Sequence, residues 1–311
     1  MEYYFFRYGD LELHRRMVSD RRRTRAFADA LFEVVSNESS VLDVGTGTGI
    51  LAMLAARAGA RRVYAVDFAD IVDVARKLVA ANGLDDTIKV IRAPAEELML
   101  EERVDILVSE WLGNFALVES MLEDVLHARE KNLKPGGRMI PASVSLILAP
   151  LDDAVTYADD GPGFWRNPIH GLDLSQLEAW ELAQGKAWQR HVEPGSLLAQ
   201  GQPIVSLELA RATMADTSKE GRVTYVARRD GVLNAFCGWF SAELTERITL
   251  DTGPGQGPTH WAQTYVPFPP RVVRKGQPIE VQYALGPDPR ERRNQRLMLR
   301  VDGVEQVCCV E

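Results

Sequence analysis

An acid, Asp43, stands two residues ahead of three alternating glycines, Gly45, Gly47 and Gly49, and a second acid, Asp67, follows at roughly the 20-residue spacing at which a carboxylate grips ribose hydroxyls. The apolar run before the glycines reads as a strand, and only glycine lets that strand turn hard enough to open a ligand crevice. A dinucleotide site would present a bare helix N-terminus to a pyrophosphate, and Asp43 would repel that group. S-adenosylmethionine has no phosphate and carries a sulfonium and an ammonium, so it suits the pair of acids and could give Asp43 a cationic partner. Further along, Glu96 follows a third strand, where an acid can accept from the adenine amino group. Glu110 ends a fourth strand and so points into the same crevice, while Glu119 opens the next helix, whose dipole it could simply complement.

The elements that must position these acids alternate as in a doubly wound sheet. Strands are expected near 41–44, 62–66, 88–91 and 104–109, with helices after Gly49, from Asp70 to Asn82 and after Glu119. Lys134-Pro135-Gly136-Gly137 reads as a turn. Residues 1–40 read as helical, with Tyr4, Phe5 and Tyr8 on one side of a first helix and Phe27, Leu31 and Val34 spaced along a second. Between them lies a polar patch of His14, Met17, Asp20 and Arg23, by itself a solvated helix face with one capping Asp. The run Arg21-Arg22-Arg23 is too short for a nucleic-acid patch in an acidic chain and reads as a surface helix.

After Pro141 the pattern changes to short β-branched runs broken by Gly, Pro and Asp, the signal of an all-β domain. Within it, about 152–192 is strand-poor and holds Trp165, Trp180 and Trp188, an arm that must bury its apolar area against something. At 311 residues the chain exceeds one core, and 36 Lys+Arg against 44 Asp+Glu leave a net charge of −8, which disfavours indiscriminate binding to nucleic acid or acidic membrane. Cys237, Cys308 and Cys309 have no metal-ligand spacing, so no metal is expected and a reducing cytoplasm is the simple reading. Neither a signal peptide nor an apolar run near the ~18 residues of a membrane span is visible.

Taken together, four ordered motifs resemble the protein arginine methyltransferases. They are Tyr4-Phe5-x-x-Tyr8 continuing through His14-x-x-Met17-x-x-Asp20-x-x-Arg23, the Val41–Gly49 loop, Ser109-Glu110-Trp111-Leu112-Gly113 through Glu119-Ser120-Met121, and Thr259-His260-Trp261. The resemblance implies a Rossmann-like S-adenosylmethionine domain (41–141) behind covering helices (1–40), then a β-barrel (142–311) with a dimerisation arm. It implies that His14, Met17, Arg23, Asp43, Gly45, Gly47, Asp67 and Glu96 hold the cofactor, Arg23 by its carboxylate. Glu110 and Glu119 would clamp the substrate guanidinium, with Gly113 allowing the chain between them to loop back, and Asp20 and His260 would pair beside it. Tyr8, Met121 and Trp261 would line the substrate. The partners implied are an arginine-containing protein or peptide and a second copy of the chain, with no membrane and no direct nucleic-acid contact.

The sequence also departs from the family pattern. Arg15 and Arg16 stand where the type-forming members have acids, and Asn114 replaces an aromatic. Positive charge at the entrance would weaken capture of an arginine–glycine-rich tail. Met17 and Met121 match members that make asymmetric dimethylarginine. Two other readings compete: a methyltransferase for a small guanidine or other metabolite, and a non-catalytic dimeric module of the same fold.

Overall fold

The computed structural model describes residues 11–118, 121–291 and 293–310, so Tyr8 and Glu119 lie outside the described residues. Two helices, α1 (Leu11–Ser19) and α2 (Arg21–Val34), precede the first sheet. Asp20 caps α2 by accepting from the Arg23 amide at 3.0 Å, and the buried stripe of α2 includes Phe27, Ala30 and Leu31 at helical spacing.

Five strands then pair in parallel: β1 (Ser40–Val44), β2 (Arg62–Asp67), β3 (Ile88–Arg92), β4 (Val104–Val108) and β5 (Leu133–Ile140), in the order β3-β2-β1-β4-β5. The connecting helices are α3 (Ile50–Arg57), α4 (Ile71–Ala81) and α5 (Met121–Asn132). All five residues of β1 are buried, as befits a central strand covered on both faces. The order reverses between β1 and its neighbours β2 and β4, which puts a ligand crevice at the carboxyl end of β1. The turn expected at Lys134–Gly137 survives only as a bulge inside β5. Val104 pairs with Leu133 but Ile106 pairs with Arg138, so the intervening residues bow out around Gly136 at φ +76°.

The second half is antiparallel. β7 (Trp188–Arg190), β12 (Gln263–Val273), β10 (Gly231–Glu243), β6 (Ser143–Leu151) and β8 (Gln202–Glu208) lie in that order, with β11 (Thr249–Asp251) on β10. A second sheet runs β15 (Val304–Val310), β14 (Gln295–Val301), β13 (Pro278–Pro287), β9 (Lys219–Val226). Contacts of β8 with β9 and of β12 with β15 bring the sheets together edge to edge, giving the barrel-like form expected. The strand β12 has no clean sequence signal because Pro267, Pro269 and Pro270 interrupt it. The ladder absorbs them by a register shift, Leu233 pairing with Arg271 and Ala235 with Pro267. One continuous hydrophobic core includes Val41 and Leu107 of the parallel sheet and Leu146 and Phe236 of the barrel.

Between β6 and β8 sit α6 (Ala154–Asp159), a 3-10 turn (Pro162–Arg166) and α7 (Gln176–Gln184), the tryptophan-bearing segment. Trp188 packs on Tyr265 of its own barrel, ring centroids 4.7 Å apart, and the Trp165 indole donates to Glu181. Trp180 is left 70 % exposed. Among the described residues no helix is long and apolar enough to cross a membrane.

Candidate active site

The chain leaves β1 through Gly45, Gly47 and Gly49, all in the left-handed region at φ +71°, +55° and +81°. That path needs glycine for a second reason. A Cβ on Gly47 would come within 2.9 Å of His14 Cε1, and one on Gly45 within 2.8 Å of Met121 Cε. Helices α1 and α5 therefore close on the loop from two sides. Asp43 lies beneath it, 1 % exposed, with Oδ2 accepting from the Thr46 hydroxyl and the Ala52 amide. It thus fastens the loop to the first turn of α3, a shaping role the sequence does not announce. Burial, helped by the nearby charge of Asp67, pushes the Asp43 carboxyl up to about 7 against the pull of those hydrogen bonds.

Asp67, at the end of β2, is held by two amides, Gly47 N to Oδ2 and Ala69 N to Oδ1, each at 2.9 Å. A carboxylate so fixed still has lone pairs to offer two hydroxyls. The loop opens on a cavity of about 610 Å³, the size of a small-molecule site. His14, Met17, Arg23, Gly45, Gly47, Asp67, Glu96, Glu110 and Met121 all line it, nine of the residues singled out in the sequence. Asp20, His260 and Trp261 do not. Trp261 is buried at 4 % exposure and donates to the Leu112 carbonyl, so it braces the glutamate loop rather than facing the cavity. Asp20 and His260 are joined beside it, with the ring Nδ1 2.8 Å and the His260 amide 2.9 Å from Asp20 Oδ2. Burial opposes ionisation of Asp20, yet bonds from the His260 ring and from the Arg23 and His260 amides bring it down to about 2.

Glu110 is nearly buried, its side chain 6 % exposed. The Arg23 guanidinium grips its Oε2 through Nε at 2.8 Å and Nη2 at 2.6 Å, while Oε1 accepts from the Leu112 amide at 3.0 Å. Among the described residues, Arg23 Nη1 and Asp43 Oδ1 are buried without a hydrogen-bond partner. Orphaned buried polar atoms of this kind call for a partner, and the unmatched N–H of Arg23, a residue of the cavity wall, fits the carboxylate of S-adenosylmethionine. The expected division, Arg23 for cofactor and Glu110 for substrate, becomes a direct contact between the two.

The loop that follows Glu110 reverses at Phe115 and Ala116, at φ 52° and 57°, and not at Gly113. Two non-glycine residues held left-handed cost roughly 1–2 kcal/mol each. The barrel holds them there: Gln295 donates to the Leu117 carbonyl, Trp261 to that of Leu112, and the Phe115 ring sits where a side chain at Gly238 would be. Sequence reasoning missed Phe68, beside Asp67 in the cavity wall, though an aromatic next to a ribose acid is a usable signal. It also missed Asp124, which burial and then the charges of Glu96 and Glu123 raise to about 6, and Glu291 and Arg293 from the distant β13–β14 loop.

Known proteins resemble this chain over most of its length. Residues 143–304 match a family model described as the arginine methyltransferase oligomerization subdomain, and residues 22–164 match that of the ribosomal protein L11 methyltransferase. Protein arginine N-methyltransferase 1 of Dictyostelium discoideum is 32 % identical over 96 % of this chain and 88 % of its own length. Its namesake from Schizosaccharomyces pombe is 36 % identical over 85 % and 78 %. A Trypanosoma brucei PRMT1 enzyme-prozyme heterotetrameric complex with AdoHcy superposes with TM-score 0.90 at 31 % identity, covering 98 % of this chain and 99 % of that one. Arabidopsis thaliana protein arginine methyltransferase 10 gives 0.87 at 28 % over 99 % and 100 %. By its glycine loop, its guarded Glu110 and this likeness over nearly its whole length, the chain belongs to the protein arginine N-methyltransferase family.

Proposed function

We propose that this protein transfers a methyl group from S-adenosylmethionine to a guanidino nitrogen of arginine in a protein or peptide. The observation that carries this is that one cavity is bounded both by the glycine loop with Asp67, Glu96 and Arg23 and by Glu110, so a cofactor and a guanidinium can meet there. The bound cofactor supplies an electrophilic methyl carbon on a sulfonium. The glycine loop and Asp67 hold its nucleoside, Glu96 its adenine amino group, and Arg23 Nη1 its carboxylate.

A guanidinium has a pKa above about 12 and delocalised lone pairs, so it is a poor nucleophile until it is aligned. Glu110 and Glu119 hold it by charge-assisted hydrogen bonds and leave one terminal nitrogen aimed inward. Alignment of this kind is worth several kcal/mol, on the order of the ~7–11 kcal/mol available to well-oriented reactions. Asp20, kept ionised, orients His260, and the His260 ring or Glu119 receives the proton that the methylated nitrogen sheds. Met17, Met121 and Tyr8 shape the acceptor side, with asymmetric dimethylarginine the expected product, and Trp261 acts through the loop it braces. Residues 1–40 cover the cofactor, 41–141 bind it, and 142–311 carry substrate and assembly contacts. We also infer a homodimer through the 152–192 arm, supported by the exposed Trp180 and by the oligomerization description of the matching family.

Labelled cofactor with arginine peptides and free guanidines, read by mass spectrometry, tests the activity. Asp67→Ala should weaken cofactor binding in calorimetric titration by at least about tenfold, the effect of losing two hydrogen bonds to a charged group. Glu110→Gln should lower transfer by a similar factor and weaken cofactor binding less than Asp67→Ala does, only through the loosened hold on Arg23. Equal weakening of cofactor by both variants would overturn the division of roles, and methylation of free guanidines but no peptide would move the assignment to a small substrate.

A further inference from the structure

Two arginines of the N-terminal helices reach across to the barrel loop that leads to His260. Its run Gly253-Pro254-Gly255-Gln256-Gly257-Pro258 has Gly255 and Gly257 both at φ +86°, and residues 255–258 are exposed. So much glycine gives a loop little order of its own, and it must be held from outside. Arg22 of α2 donates to the carbonyls of Gly257 at 2.8 Å and Asp251 at 3.1 Å, lying so close along Gly257 that a Cβ there would be 3.5 Å from its Cδ. Arg16 of α1 donates through Nη2 to the His260 carbonyl at 2.8 Å. Asp20, between the two helices, takes the other end of the same residue, with the His260 amide at 2.9 Å and the ring Nδ1 at 2.8 Å from one oxygen. The N–H, the C=O and the ring of His260 are therefore all fixed by side chains of the N-terminal helices and their junction.

We propose that Arg16, together with Arg22, is a positioning residue for methyl transfer: the two hold the His260 loop so that the imidazole meets the proton released by the methylated guanidinium. The inference rests on the arginine-methyltransferase reading and assigns a role within it. Helix α1 works in two directions. His14, Met17 and Val18, at i, i+3 and i+4, line the cavity, while Arg16 reaches the barrel. On α2, Arg22 holds the barrel loop and its neighbour Arg23 holds Glu110. The same two helices thus set the cofactor wall and the proton acceptor together. Asp20 anchors His260 through a single oxygen, and the Arg16 bond to the carbonyl stops the residue from pivoting about it. A carbonyl needs a donor, so the acid that the family pattern has at position 16 would make no such bond when ionised, and the contact is particular to this chain.

The test uses the full chain, labelled cofactor and a single-arginine peptide. Arg16→Ala and Arg22→Ala should each lower kcat between about threefold and tenfold, the loss of charge-assisted hydrogen bonds that water partly reaches. Peptide KM and cofactor affinity by calorimetric titration should stay within about twofold, since neither arginine lines the cavity. Arg16→Lys, which keeps a donor, should recover part of the loss. Arg21→Ala, which removes an exposed charge from the same helix, should match the parent. The deciding readout is the double-mutant cycle with His260→Ala: once the ring is gone, Arg16→Ala should cost no further rate. An equal loss in both backgrounds, a loss confined to KM or cofactor affinity, or parent kcat in Arg16→Ala or in His260→Ala would each overturn the proposal. A parent protein that binds cofactor and methylates no arginine peptide would instead sink the reading on which the proposal rests.

Discussion

At the scale of the residue, Asp43 is the group whose chemistry differs most from its appearance in the sequence. Its folded pKa, about 7, lies above the ordinary value of 3.8 because the carboxyl is wholly buried. A group raised in this way adds stability that is fully present below about 3.8 and is lost as pH climbs through 7. The empty protein should therefore grow less stable by this contribution between pH 4 and 7. A ligand carrying positive charge favours the ionised form, so cofactor affinity should rise with pH over the same upper range, by up to about tenfold from pH 6 to 8. Asp43→Asn should flatten that profile in calorimetric titration. A profile unchanged in the variant would show that the pH dependence belongs elsewhere, for instance to Asp124.

At the scale of the element, α1 and the glycine loop form one closure, because His14 occupies the space over Gly47. Gly47→Ala would force both a left-handed alanine, costing about 1–2 kcal/mol, and a collision with the His14 ring. The expected result is a cofactor affinity at least tenfold lower and faster proteolysis between α1 and α2. Wild-type affinity would show that α1 does not seat on the loop. These contacts were legible in part. The glycines, Asp67 and Glu110 declare themselves by position in a strand–turn–helix repeat, and Phe27 and Leu31 by helical spacing. The reversal at Phe115 and Ala116 was not legible, since no local preference places phenylalanine or alanine at positive φ; contacts from Gln295 and Trp261, far away in sequence, impose it. Strand β12 was hidden for the related reason that its prolines are tolerated only through the register shift against β10. Glu291 and Arg293 reach the cavity on a loop whose sequence says nothing of its destination.

At the scale of the whole molecule, the barrel is part of the active site rather than a neighbour of it, because it fixes the loop that begins at Glu110. The arm between β6 and β8 leaves Trp180 70 % exposed, and leaving such a ring in water forgoes about 25 cal/mol per Å² of apolar area. We expect a homodimer that Trp180→Glu shifts toward monomer by at least about tenfold in dissociation constant, measured by light scattering or sedimentation. A parent protein that is monomeric at micromolar concentration would dismiss the arm as an interface.

The contact between Arg23 and Glu110 has a consequence for the order of events. One guanidinium, with Nε and Nη2 on Glu110 and Nη1 left over, stands between the proposed seats of methyl donor and methyl acceptor. Filling the first seat stiffens the wall of the second, so the two ligands share a coupling free energy. Whatever factor the donor adds to capture of the target, the target must add to retention of the donor. Conversion of donor to product removes the sulfonium charge but leaves the carboxylate that Arg23 would hold, so the coupling should persist into the product complex and make release of the methylated chain sensitive to a residue that never touches it.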